Sequence, residues 1–85
     1  MIDNKFDEIV MAKLVARLNA LGLSGRELAK RIGIPKSNWS SYVTLTRSIP
    51  FDTFKKACEV LGLDYEEVFI ESQKEFFEYE KKTTE

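Results

Sequence analysis

Eighty-five residues hold a single domain with a modest core. One cysteine and no histidine exclude both an internal disulfide and a Cys/His zinc site. The net charge is −1 and the pI about 5.5, which speaks against a nucleic-acid binder taken whole. The charge is uneven, however. Residues 1–23 are neutral, residues 24–50 carry Arg26, Lys30, Arg31, Lys36 and Arg47 against Glu27 alone (net +4), and residues 51–85 carry five basic against ten acidic groups (net −5). The basic middle segment is the local positive field that a DNA binder needs. No apolar run approaches the ~20 residues of a membrane span, and the start does not read as a signal peptide. A cytoplasmic, reducing setting is the expectation.

The first helix is expected over Asn4 to Leu21. Phe6, Val10, Leu14, Leu18 and Leu21 recur at helical spacing, with Ile9 and Met11 widening the stripe. Asp3, Asp7 and Glu8 stand where negative charge favours a helix start, and Gly22 ends the helix. Ser24 caps a second helix, Ser24-Gly25-Arg26-Glu27 having the spacing of a capping box. That helix ends near Ile32, and Gly33 supplies the turn. Pro35 holds Ile34 extended and pre-sets the entry to a third helix over Lys36 to Val43. Leu28, Ile32, Ile34, Trp39 and Tyr42 close a small core between these two helices, and Ala29 is small where they cross. Trp39 reads as core, contact with a thymine methyl or a sugar being its alternative. The polar face of the third helix is Lys36, Ser37, Ser40 and Ser41, with Asn38 at its edge. Three serines and an asparagine are poor helix formers, which suits a binding face better than a purely structural one.

Residues 44–49 read as a loop. Pro50 opens a fourth helix over Phe51 to Leu61, with Phe54, Ala57, Cys58 and Leu61 inward, and Gly62 stops it. Cys58 reads as a small buried apolar residue. Asp64 caps a fifth helix, with Glu67 three residues on as a second capping box. Val68 and Phe69 bring it onto the core. Strong helix formers continue past residue 70, and Glu78 and Lys82 are spaced for an i,i+4 pair. Phe76, Phe77 and Tyr79 either fold back onto the first helix or form a dimer contact. Thr83-Thr84-Glu85 is expected to fray. The chain therefore divides into a helix-turn-helix domain over 1–70 and a helical extension over 71–85. About five helices with short loops make a compact all-α bundle.

The run from Gly25 to Tyr42 has Ala29 and Gly33 four apart and apolar residues at Leu28, Ile32, Ile34, Trp39 and Tyr42, with Pro50 eight residues further on. It resembles the phage repressor and Cro-type helix-turn-helix family, over Leu14 to about Phe69. The resemblance implies a lambda-repressor-like fold and a transcriptional regulator, a phage or mobile-element repressor, with double-stranded DNA as partner and no cofactor. Restriction-modification controllers and antitoxins share the fold. It implies a homodimer on a palindromic operator, the two recognition helices about 34 Å apart. Base reading would fall to Lys36, Ser37, Asn38, Ser40 and Ser41, with Lys36 suited to guanine and Asn38 to adenine. Phosphates would be held by Ser24, Gly25 and Arg26 at the second helix start, and by Thr44, Thr46 and Arg47 after the third helix. The chain departs from the family pattern at Gly25, often Gln, at Thr44-Leu45, often Asn-Gly, and at Pro35, where a serine or threonine cap is more usual. No catalytic or metal residue is expected, since no Ser or Cys has a plausible base partner and no Gly-rich phosphate loop is present. Two other readings remain: a protein-interaction module on a helix-turn-helix fold, and the N-terminal fragment of a longer repressor.

Overall fold

Five helices follow one another in a computed structural model that describes residues 4–83. They are α1 (Lys5–Ala20), α2 (Gly25–Ile32), α3 (Lys36–Val43), α4 (Phe51–Leu61) and α5 (Tyr65–Thr83). Among the described residues there is no strand, and no helix is long and apolar enough to cross a membrane. The all-α bundle expected from the sequence is the fold. The expectations for Asp3, Thr84 and Glu85 lie outside the described residues, while Thr83 is still helical.

The helix ends follow from local chemistry. Ser24 and Glu27 close the capping box on α2: each backbone N–H donates to the other's side-chain oxygen at 3.1 Å. Gly33 ends α2 with φ +80°, and the chain reverses through Ile34 N–H to the Ala29 carbonyl at 3.0 Å. The end of α3 has the same geometry without a glycine. Leu45 has φ +62°, and the Thr46 N–H donates to the Ser41 carbonyl at 2.9 Å. A left-handed leucine costs about 1–2 kcal/mol. Two contacts offset that cost: the Leu45 side chain packs on the core, and the Leu45 carbonyl accepts from Asn4 Nδ2 at 3.2 Å. Asp64 Oδ1 accepts from the N–H groups of Glu66 and Glu67, at 3.0 and 3.4 Å. The Glu67 carboxylate does not reach back, so half of the expected second capping box forms.

All five helices feed one core. Leu14, Leu28, Leu61 and Cys58 are fully buried, surrounded by Val10, Met11, Leu18, Ile32, Trp39, Tyr42, Phe54 and Val68. Each such large apolar side chain contributes about 2 kcal/mol. Arg17 of α1 reaches the end of α4, where its Nε donates to the Leu61 carbonyl at 2.9 Å. There a cation also meets the negative end of the helix dipole. Burial pushes the Cys58 thiol up to about 11, and the charge of Asp64 adds to the shift. It is therefore a neutral packing group at ordinary pH.

Helix α5 runs unbroken through residue 70 and lies on α1 and α4. The Phe6 ring meets Phe69 and Phe76 edge-on, at centroid distances of 5.7 and 5.9 Å. The Lys5 ammonium lies over the Tyr79 ring at 4.9 Å. Phe76 and Tyr79 thus fold back onto α1, whereas Phe77 stays 64% exposed. The expected Glu78–Lys82 pair is absent among the described residues. Lys13 of α1 instead pairs with Glu75 and lies 3.9 Å from Glu71. Cross-helix packing, which brings α1 alongside α5, supplies these partners. On α5 Ser72 is fully buried, and its hydroxyl has no hydrogen-bond partner among the described residues.

Candidate nucleic-acid interface

Helices α2 and α3 pack on each other and are joined by the turn at Gly33. Along α3, residues four apart share a face. Lys36, Ser40 and Thr44 form the row that borders the start of α2. A shallow recess there is lined by Gly25, Lys36, Trp39, Ser40, Val43 and Thr44. Four of the expected site residues are therefore brought together from two elements. Ser37 and Ser41 form the neighbouring row, where Ser41 Oγ donates to the Ser37 carbonyl at 3.0 Å. That bond leaves the Ser41 oxygen as an acceptor. Asn38 is half-buried on the flank of the helix, outside both rows.

The residues after α3 hang from its last turn. Thr44 Oγ1 donates to the Ser40 carbonyl at 2.9 Å and lies 2.9 Å from Thr46 Oγ1. The Ser41 carbonyl accepts from the N–H groups of Thr46 and Arg47, at 2.9 and 3.2 Å. The Arg47 guanidinium stands over the Tyr42 ring at 5.9 Å from its centroid. Tyr42 is a core residue, so this cation is held against a fixed surface.

At the start of α2 the capping box narrows the set of available donors. Ser24 N–H is already committed to Glu27, and Ser24 Oγ already accepts from Glu27. The N–H groups of Gly25 and Arg26 have no partner among the described residues. They point outward from the positive end of the helix dipole, an arrangement that favours an anion. Arg26, Lys30, Arg31, Lys36 and Arg47 are all exposed, and none forms an ion pair among the described residues.

Trp39 is core, as its position in the motif implies, with 3% of its surface exposed. Sequence reasoning missed how it is placed. The Cδ1–Nε1 edge of the indole lies against Gly25, where an added β-carbon would come within 2.9 Å of Cδ1 and 3.0 Å of Nε1. Gly25 and Trp39 are thus one packing unit: the glycine leaves the space that the indole fills. The signal was in the sequence as two departures from the family pattern, a glycine at 25 and an aromatic at 39.

A capped helix, a tight left-handed turn and a second helix with an exposed polar face, on a segment whose exposed cations form no ion pair among the described residues, define a helix-turn-helix of the DNA-binding kind. The family model described as Helix-turn-helix matches residues 14–68. The chain belongs to that family, the Cro and C1 type, and is a DNA-binding transcription regulator in kind. No curated protein and no solved structure matches it.

Proposed function

We propose that this chain is a repressor of the phage or mobile-element type, and that it binds a palindromic operator as a homodimer with α3 in the major groove. The observation that carries this reading is that Arg26, Lys30, Arg31, Lys36 and Arg47, all on the segment from α2 to the residues after α3, are exposed and form no ion pair among the described residues. Phosphate neutralisation by these groups supplies most of the affinity. Lys36, Ser37, Ser40 and Ser41, with Asn38 on the flank, read base edges. Gly25, Arg26, Thr44, Thr46 and Arg47, with the Ser24 hydroxyl proton, fix the backbone. The phage or mobile-element origin rests on the family resemblance.

Dimer formation is assigned to the outer side of α5. Ile70 and Phe77 are 51% and 64% exposed there, beside Phe69, and such a patch suits an interface. Helices α1 and α4 pack on both α5 and the α2–α3 pair, so pairing through the outer side of α5 makes no use of the α2–α3 surface. Selection from random duplex pools at two salt concentrations tests the reading. Enrichment of a palindrome with half-sites about one helical turn apart supports it. Absence of binding even at low salt refutes it and favours a protein partner.

A further inference from the structure

We propose that Trp39 is itself a phosphate ligand. Its indole N–H and the amides of Gly25 and Arg26, unpaired among the described residues, form one seat for a phosphodiester of the DNA backbone, and the Lys36 ammonium at its border adds positive charge while it reaches for base edges. This inference rests on the DNA-binding reading and adds to it a donor from the core.

Three observations converge on the seat. First, buried tryptophan N–H groups normally have a partner. Trp39 is 3% exposed and its N–H has no protein partner among the described residues, yet that nitrogen is not sealed from solvent, so it opens on the recess that Trp39 lines. Second, the indole nitrogen lies beside the first residue of α2. Nε1 would lie 3.0 Å from a β-carbon at position 25, so the glycine lets the indole edge reach the helix start. The amides of Gly25 and Arg26, unpaired among the described residues, open that same helix. Third, the recess that opens there is lined by Lys36, Ser40 and Thr44 and by no carboxylate. Glu27, the nearest acid in sequence, has its carboxylate turned onto the Ser24 N–H. The groups with hydrogens to give are two amides, one indole and the Ser40 hydroxyl, with the Lys36 ammonium at the border. A phosphodiester, with two charged oxygens and no proton of its own, is the ligand that matches them.

A phosphate seat carries no base information. Trp39→Phe, which keeps a ring and removes the N–H, is therefore expected to weaken every duplex alike, by about tenfold. The unmodified protein allows a direct test, because one tryptophan gives one indole N–H resonance in a ¹⁵N-labelled sample. The probes are a random-sequence duplex at low salt and inorganic phosphate at matched ionic strength. The duplex is expected to move the indole proton downfield and slow its exchange with water, together with the Gly25 and Arg26 amides. Inorganic phosphate is expected to do so much more weakly. Shifts in α3 and Arg47 with a stationary indole would overturn the seat and leave DNA binding standing. An indole shift as large with inorganic phosphate as with duplex would make this a free-anion site and overturn the backbone assignment. If no signal responds to the duplex, both the seat and the DNA-binding reading fail.

Discussion

Ser72→Ala is expected to stabilise the protein, although it deletes a buried group. The Ser72 hydroxyl of α5 is fully buried and has no hydrogen-bond partner among the described residues. Keeping an unpaired hydroxyl away from water costs about 1–3 kcal/mol. Alanine removes that cost and gains about 0.5 kcal/mol of helix propensity. Against this stands the lost packing of one oxygen atom, a few tenths of a kcal/mol. The net gain is about 1.5 kcal/mol, and for a domain of this size it raises the melting temperature by about 6–12 °C. Thermal and urea unfolding, followed by circular dichroism at fixed protein concentration, give the comparison. Ser72→Val is the control: it adds volume at that fully buried position and is expected to destabilise by about 1–3 kcal/mol. A lower melting temperature for Ser72→Ala would show that the hydroxyl has a partner in solution, and the reasoning would be wrong.

Arg17→Leu keeps apolar bulk but removes the donor to the Leu61 carbonyl; it is expected to cost about 1 kcal/mol in urea unfolding, and an unchanged midpoint would count against the tie between α1 and α4. The Cys58 thiol is pushed from the ordinary 9.0 to about 11 in the folded state, so its contribution is complete below pH 9 and is lost as pH rises toward 11. Between pH 8 and pH 10 the wild type should lose on the order of 1 kcal/mol relative to Cys58→Ala; parallel pH profiles would mean that the folded thiol ionises as easily as the unfolded one. Combined Lys36→Ala and Ser41→Ala should leave the fold intact and reduce operator preference by about 1–3 kcal/mol per lost base contact, and unchanged discrimination among duplexes would remove α3 from base reading. Combined Ile70→Glu and Phe77→Glu changes two exposed side chains, so fold stability should move by less than about 0.5 kcal/mol; sedimentation should show the monomer mass, and a persisting dimer would place the interface elsewhere.

Much of the backbone was legible because it depends on neighbours in sequence. The expected bounds of α3 and α4 are those observed, and the Ser24 capping box is complete. Leu45 shows where that legibility stops. Its left-handed conformation ends α3 as a glycine would, but nothing in Thr44-Leu45-Thr46 marks it, since the Asn4 amide that holds its carbonyl comes from 41 residues earlier. Lys13 makes the same point, its carboxylate partners lying on α5 where no local spacing rule could assign them. The aromatic cluster was half legible. Helical spacing put Phe76 and Phe77 in α5, but adjacent positions point about 100° apart, so one meets Phe6 and the other faces outward. At the candidate site the residue types were readable and their grouping was not. Lys36 and Ser40 share a recess with Gly25 because Trp39 packs against that glycine, a fact of volume rather than of periodicity.

The placement of α5 also separates bulk acidity from local behaviour. The molecule is 43 × 27 × 22 Å, whereas charges in water at physiological salt influence one another over only about 8 Å. Six acidic groups against three basic ones ride on α5, a helix that packs chiefly on α1 and α4, whereas α2 and α3 pack chiefly on each other and on α4 and α1. A polyanion touching α3 is screened from most of that negative charge. Only at very low ionic strength, where the screening length grows to about 30 Å, would the whole molecule act as a single object and the acidic side begin to repel. An acidic isoelectric point and retention on an immobilised polyanion are therefore compatible in this chain, and lowering the salt indefinitely need not keep tightening its grip on DNA.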